Sequence, residues 1–373
     1  MRAANEIDFW RGLALVSIFA NHIPGFFFER FTHRNVGLSD SAELFVFLAG
    51  WSLRLLIDGS SEPVSLGRLV LRLGARGLTL YAAHIVITMI AIALVAGAVL
   101  KLDNPLLLEW HNLAAVFQDP VPAHLGLVLL THQLGYFDIL PLYVVLMLGA
   151  PAMAALHRVA PAALLPAALA LYGLALAFRI NLPTWPVEGY WYFNPFAWQL
   201  IFVLGFLMAD RRGLGAFARE NLWWLRWLGL LLVIGGAYLA LSDYAPDPVR
   251  VPRPKLFFVF DKSYQSPARL FHFLALAATF AGTFILVRRF APYLARFLSM
   301  LGRNSLNVFC VGSLLSLAGQ LVRFALGGSI LVDSFVLTGG IAALGVTGWV
   351  SELRERLRAR SGGPRAPLSP SPA

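Results

Sequence analysis

The stretch IDFWRGLALVSIFANHIPG, Ile7 to Gly25, decides how this chain is built. It is apolar over a length that suits a membrane-spanning helix, yet it carries Asp8, Arg11 and His22. Ionisable groups are costly inside a bilayer helix, so their presence points to function. Separations of three and eleven residues are near-whole helical turns, which puts the three side chains close to one stripe. Phe9, Leu13, Val16 and Ala20 take the remaining faces. The helical rise separates Arg11 from His22 by roughly 16 Å, about half of a bilayer core. No small group touches both. A long ligand entering from one side meets Arg11 first and brings its reactive end to His22.

Composition agrees with a membrane protein. Of 373 residues, 58 % are hydrophobic and 13 % charged, more apolar surface than a soluble domain can bury. The first apolar segment does not read as a secretory signal, because acidic residues precede it, a charge interrupts it and no small-x-small site follows. The single cysteine, Cys310, excludes an internal disulfide and lies in an apolar run, where packing is its expected role. A net charge of +10 would suit nucleic acid in a soluble protein, but here the placement of the charges carries the information.

Hydropathy predicts an all-α bundle of ten spans, near 9–28, 41–57, 78–100, 136–156, 161–178, 193–209, 222–241, 269–287, 304–324 and 329–350. With the N-terminus inside, nineteen Lys and Arg residues fall on the inner side and ten on the outer. That asymmetry predicts both termini in the cytoplasm and accounts for most of the basic excess without nucleic acid as a partner. Trp10, Trp223, Trp224, Trp227 and Trp349 suit the inner interface, and Trp185 and Trp191 the outer one. Residues 1–350 form the membrane domain in this reading, and 351–373 a basic, Pro/Ser-rich cytoplasmic tail whose last residues, SGGPRAPLSPSPA, are expected to be disordered. Two outer loops, 101–135 and 242–268, are longer than connection needs. Asn104-Pro105 predicts a short interfacial helix in the first, and the second is polar and aromatic enough to cover an acceptor or close the outer face.

Polar groups in apolar surroundings supply the candidate site. Asp40 and Glu43, at the outer start of the second span, fit a helix capping box. At the depth of His22 they also suit a carboxylate that orients the imidazole while it acts as general base. Arg11 reads either as a structural ion pair with Asp8 and Glu6 or as a contact to phosphate or carboxylate. Arg68, Arg72 and Arg76 recur every four residues, a basic stripe suited to anionic lipid head groups or to a phosphate-rich ligand. Asp138, Gln199, Arg269 and His272 are further polar groups in apolar runs, and Arg269 and His272 share a helix face. The remaining histidines show no metal-ligand spacing, so no metal is expected. No phosphate-binding loop, dinucleotide fingerprint or serine-nucleophile elbow is present. Any chemistry must combine a base with a donor that arrives already activated.

The opening IDFWRGLALVSIFANH resembles the first-span signature of the membrane acyltransferase 3 superfamily, and ELFVFLAGW resembles the second. Within that group the sequence is most similar to the OpgC family, with close counterparts to SDSAELFVFLAG, GYFDILPLYVVLM, NPFAWQLIFVLG, ARLFHFLALA and LGRNSLNVFCVG in order over residues 7–315. Ala49 stands where related proteins often carry serine, so no hydroxyl acts there in this chain. The resemblance implies a multi-pass enzyme of the bacterial inner membrane that succinylates periplasmic glucans. Succinyl-CoA would be a cytoplasmic co-substrate, with no permanently bound cofactor. His22 matches the family's essential histidine, Arg11 its arginine and Asp8 its acidic position. The coenzyme A head would then lie near Arg11 and Arg68, Arg72 or Arg76, and Arg269 would meet the succinyl carboxylate. An acetyl-CoA enzyme acting on another glycan, and a transporter or flippase of an anionic or lipid-linked solute, are the competing readings.

Overall fold

In the computed structural model, which describes residues 3–59, 65–242, 257 and 259–361, every predicted span coincides with helix. The helices are α1 (Glu6–Asn21), α2 (Ser41–Asp58), α3 (Leu66–Leu102), α4 (Ala114–Gln118), α5 (Pro120–Val128), α6 (Ile139–Val159), α7 (Pro161–Phe178), α8 (Pro195–Ala209), α9 (Gly213–Glu220), α10 (Leu222–Leu241), α11 (Pro267–Phe280), α12 (Phe284–Phe290), α13 (Pro292–Arg303), α14 (Ser305–Leu326) and α15 (Ile330–Ser361). Two-residue strands at Pro183–Thr184 and Gly189–Tyr190 pair antiparallel. Six of the helices, α3, α6, α7, α10, α14 and α15, are long and apolar enough to cross a membrane. The expected span 269–287 is instead a pair, α11 and α12, bent by 50°. Gly282 at the break has φ +76, and its N–H donates to the Glu6 carboxylate at 2.7 Å. A side chain there would be strained, so glycine fixes the bend.

Of two expectations about segment ends, one is revised. The short helix expected after Asn104-Pro105 is present, as a 3₁₀ helix. Asn104 caps the Leu106 N–H at 3.1 Å as expected, and the helix, Pro105–Asn112, breaks at Trp110 and His111. At the other end, α15 continues past the predicted boundary at 350 to Ser361, with Glu352 accepting from Arg303 at 2.7 Å. The expected disordered residues from 362 onward, and most of the loop 242–268, lie outside the described residues.

The central helices are joined by backbone approaches that only glycine permits. α1 lies along α13, and α2 along α8. A Cβ on Gly12 would fall 1.9 Å from the Leu298 carbonyl oxygen, and one on Gly302 1.8 Å from that of Asp8. Gly50 and Gly205 repeat the arrangement at 1.9 and 2.0 Å from the carbonyl oxygens of Phe202 and Phe47. In a bilayer, where lipid tails are as apolar as leucine, such small-residue contacts bring helices together by dispersion. Gly50→Val will therefore destabilise the fold at the upper end of the roughly 1–3 kcal/mol typical of overpacking. A lowered thermal unfolding midpoint in detergent checks this, with Gly149→Ala, where a Cβ meets nothing within 4 Å, as the unshifted control.

Candidate active site around His22

His22 is the C-cap of α1, its N–H donating to the Ile18 carbonyl at 3.2 Å. The helix stops there because Pro24 follows and Gly25 takes φ +69. The imidazole lies flat on Tyr136, ring centroids 4.4 Å apart and planes within 16°. Tyr136 is itself fixed, donating from its hydroxyl to the Ser313 carbonyl at 3.0 Å and stacking on Phe137. The His22 carbonyl accepts from the Gln320 amide at 2.5 Å. Its ring nitrogen Nδ1 is buried with no hydrogen-bond partner among the described residues. The imidazole is thus oriented by stacking and by its backbone.

Among the described residues no hydrogen bond joins His22 to Asp40 or Glu43, although Asp40 lines the same cavity. Asp40 and Glu43 form the capping box: Glu43 Oε2 accepts from the Asp40 N–H at 2.9 Å, and Asp40 Oδ1 from the Ala42 N–H at 2.8 Å. Their other oxygens are held by cations. Arg269 reaches Glu43 at 2.6 Å and Asp40 at 3.3 Å, and Lys262 reaches Asp40 at 2.5 Å. Two carboxylates and two cations therefore balance in a cluster where the Glu43 side chain is fully buried. Charges buried this deeply persist only when paired and hydrogen-bonded. Burial pulls the Lys262 pKa down, but the Asp40 carboxylate together with Tyr192 and Glu43 more than offsets it, and the ammonium ends above its ordinary range.

The cluster forms one wall of a small cavity. His22, Arg34, Asp40, Tyr136, Asp138 and Lys262 line it, with Phe193 and Phe309 as apolar walls. These residues come from the end of α1, the loop after it, the segment before α6, the loops that precede α8 and α11, and α14. Asp138, the residue before α6, is buried and makes no ion pair among the described residues. Arg34 is exposed and donates to the Asn21 carbonyl at 3.0 Å. An imidazole, two carboxylates and two cations thus face one space. His272 is elsewhere: its Nδ1 contacts the Ser39 hydroxyl at 2.8 Å, and glycines 37 and 236 pack against its ring. It braces the cluster from behind.

Arg11 lies at the other end of α1. Its guanidinium donates to Asp8 at 3.2 Å, to Ser52 Oγ at 2.5 Å, and to the carbonyls of Leu48 and Gly302 at 3.4 Å each. Those bonds tie α1 to α2 and α13. Arg68, Arg72 and Arg76 are all on the exposed side of α3. The Tyr143 hydroxyl on α6 is buried with no hydrogen-bond partner among the described residues.

Tyr136, Arg34 and Lys262 were not among the residues expected at the site. Tyr136 stands two residues before Asp138 in GYFD, where the aspartate alone was singled out. Lys262 lies in the second long loop, and only the fold brings it to Asp40. No curated protein and no solved structure matches this sequence. A family model described as OpgC protein matches residues 3–356. That family points to acyltransferase-type chemistry in a membrane protein, which suits a buried histidine beside a charged cavity. With the match spanning nearly the whole sequence, the chain belongs to the OpgC family.

Proposed function

We propose that the protein is an integral membrane O-acyltransferase that moves a succinyl group from cytoplasmic succinyl-CoA to hydroxyls of periplasmic glucans. His22 is the general base. The observation that carries this reading is the His22 imidazole, clamped on Tyr136 in the wall of a cavity that also holds Lys262, Arg34 and Asp138. His22 takes the proton of the acceptor hydroxyl as its oxygen attacks the thioester carbonyl. The carbon–sulfur bond then breaks, and the departing coenzyme A thiolate recovers the proton from the imidazolium. The donor's phosphate-rich head fits the Arg11 end of α1, beside Arg76 and Tyr143, with Arg68 and Arg72 further along α3. Its arm runs along α1 toward His22. Arg269 is committed to Glu43 and Asp40 and does not line the cavity, so the succinyl carboxylate meets Lys262 and Arg34, which do.

In this reading all ten helical segments cross the bacterial inner membrane and both termini are cytoplasmic, as the distribution of Lys and Arg argues. The exposed apolar faces of α3 and α10 meet lipid. The test is transfer of radiolabel from succinyl-CoA inside proteoliposomes to glucan outside. Label in ester linkage to the glycan supports the enzyme, whereas label crossing without an ester bond supports a transporter and sinks the proposal. Donor choice has its own check. Lys262→Met should raise KM for succinyl-CoA about tenfold, the effect of one charged hydrogen bond, and leave acetyl-CoA use little changed. Equal effects on the two donors would contradict the role of Lys262.

A further inference from the structure

Across Tyr136 from the His22 cavity lies a second, larger one of about 520 Å³, bounded by Pro24, Trp110, His111, Gln320, Arg323 and Phe324. Two rings in contact stand between them: Tyr136, in the wall of the first, stacks on His22 and meets the His111 ring, in the wall of the second, edge-on with centroids 5.0 Å apart. The larger cavity is also tied to the base by hydrogen bonds. Gln320 Oε1 contacts His111 Nε2 at 2.9 Å while its Nε2 donates to the His22 carbonyl.

The walls indicate what this cavity accepts. Its one cation is spent: Arg323 pairs with the buried Asp333 at 2.6 Å and donates its terminal nitrogens to the carbonyls of Pro24 and Gly25. Such a wall has no net charge to attract an anion. The polar capacity left is neutral, a side-chain amide with one further N–H and one further lone pair, and an imidazole. Opposite these stand Trp110 and Phe324, packed edge to face with centroids 5.5 Å apart. A large aromatic surface beside a few convergent neutral hydrogen-bonding groups suits a ligand with one apolar face and a rim of hydroxyls. A pyranose ring has that form.

The backbone here is held at a cost. His111 and Asn112 both take left-handed φ, +60 and +61. Gly135, also at positive φ, sits under the His111 ring, where a Cβ would fall 2.2 Å from Nδ1. Such strain persists only where the surroundings impose it, and such places concentrate at ligand sites.

We propose that this cavity is the acceptor subsite, holding one neutral hexose unit of an oligosaccharide whose neighbouring unit is acylated at His22. The inference rests on the acyl-transfer reading for its role, but the binding itself can be read without catalysis. The experiment is calorimetric titration of the full-length protein in detergent with a neutral glucose oligosaccharide and no donor. Trp110→Ala should weaken binding at least tenfold and Phe324→Ala several-fold, with Trp110→Phe intermediate. Leu106→Ala, on the exposed side of the same turn, serves as the unchanged control. If Trp110→Ala fails to fold, Phe324→Ala carries the test. Absence of binding by the unaltered protein overturns the proposal, as does unchanged affinity in both folded cavity variants. Tighter binding of glucose 6-phosphate than of the neutral oligosaccharide overturns it too. Binding that depends on Trp110 in a protein that transfers no acyl group would leave the subsite standing and remove the enzymatic reading.

Discussion

Alanine at His22 will lower acyl transfer by about 10²–10⁴-fold, the usual contribution of a positioned base. The protein will still insert and fold. The imidazole has no side-chain hydrogen bond to lose, and its contact with Tyr136 is a stack on a ring that Ser313 and Phe137 hold independently. The space left opens into a cavity lined by Asp40, Asp138, Lys262 and Arg34, polar enough to take water. The loss should therefore appear in turnover and not in the amount of folded protein. Transfer rates measured alongside a thermal unfolding midpoint separate the two. A variant that loses midpoint and rate together would make His22 a structural residue.

Arg269→Ala will have the largest effect on stability. It strands Glu43, whose side chain is fully buried, and leaves Asp40 with Lys262 as its one cation among the described residues. Removing one member of a buried pair costs about 3–5 kcal/mol, chiefly through the uncompensated charge that remains. The double variant Arg269→Met with Glu43→Met should recover much of that loss, because neither charge is then left alone. Thermal unfolding of the two proteins in detergent decides the matter. Succinyl transfer by the double variant is equally informative. An Arg269 that bracketed the donor's carboxylate would be missed there, whereas a purely structural Arg269 would not.

The helices were legible in the sequence because ten apolar runs are long and separated by proline, glycine and charge. Less legible was how they end. The first span closes at Asn21, with His22 as its cap, because Pro24 and a left-handed Gly25 prevent continuation. Hydropathy passes over both. α13 was not among the predicted spans, since PYLARFLSMLGR alternates charge with apolar residues, yet its glycine face is what α1 packs against.

The candidate site was legible one element at a time. His22, Asp40, Glu43, Asp138 and Arg269 were singled out, and all but Arg269 and Glu43 line the cavity. Their pairing was not legible, because it depends on loop geometry. A capping box can be read three residues apart, but an ion pair 226 residues apart cannot. Lys262 takes the place at the cavity that Arg269 was expected to fill. His111 passed as one of several histidines without metal spacing. Its position depends on Gly135, Tyr136 and Gln320, which only the fold assembles.

The central claim is that His22 activates a hydroxyl for acyl transfer, and one comparison tests it most directly. Reconstituted unaltered protein and His22→Ala, matched for folded content, are given labelled succinyl-CoA and neutral glucan, and ester-linked label on the glycan is followed with time. The account predicts steady transfer by the first and a rate lower by about 10²–10⁴-fold for the second. Equal rates for the two proteins would contradict it.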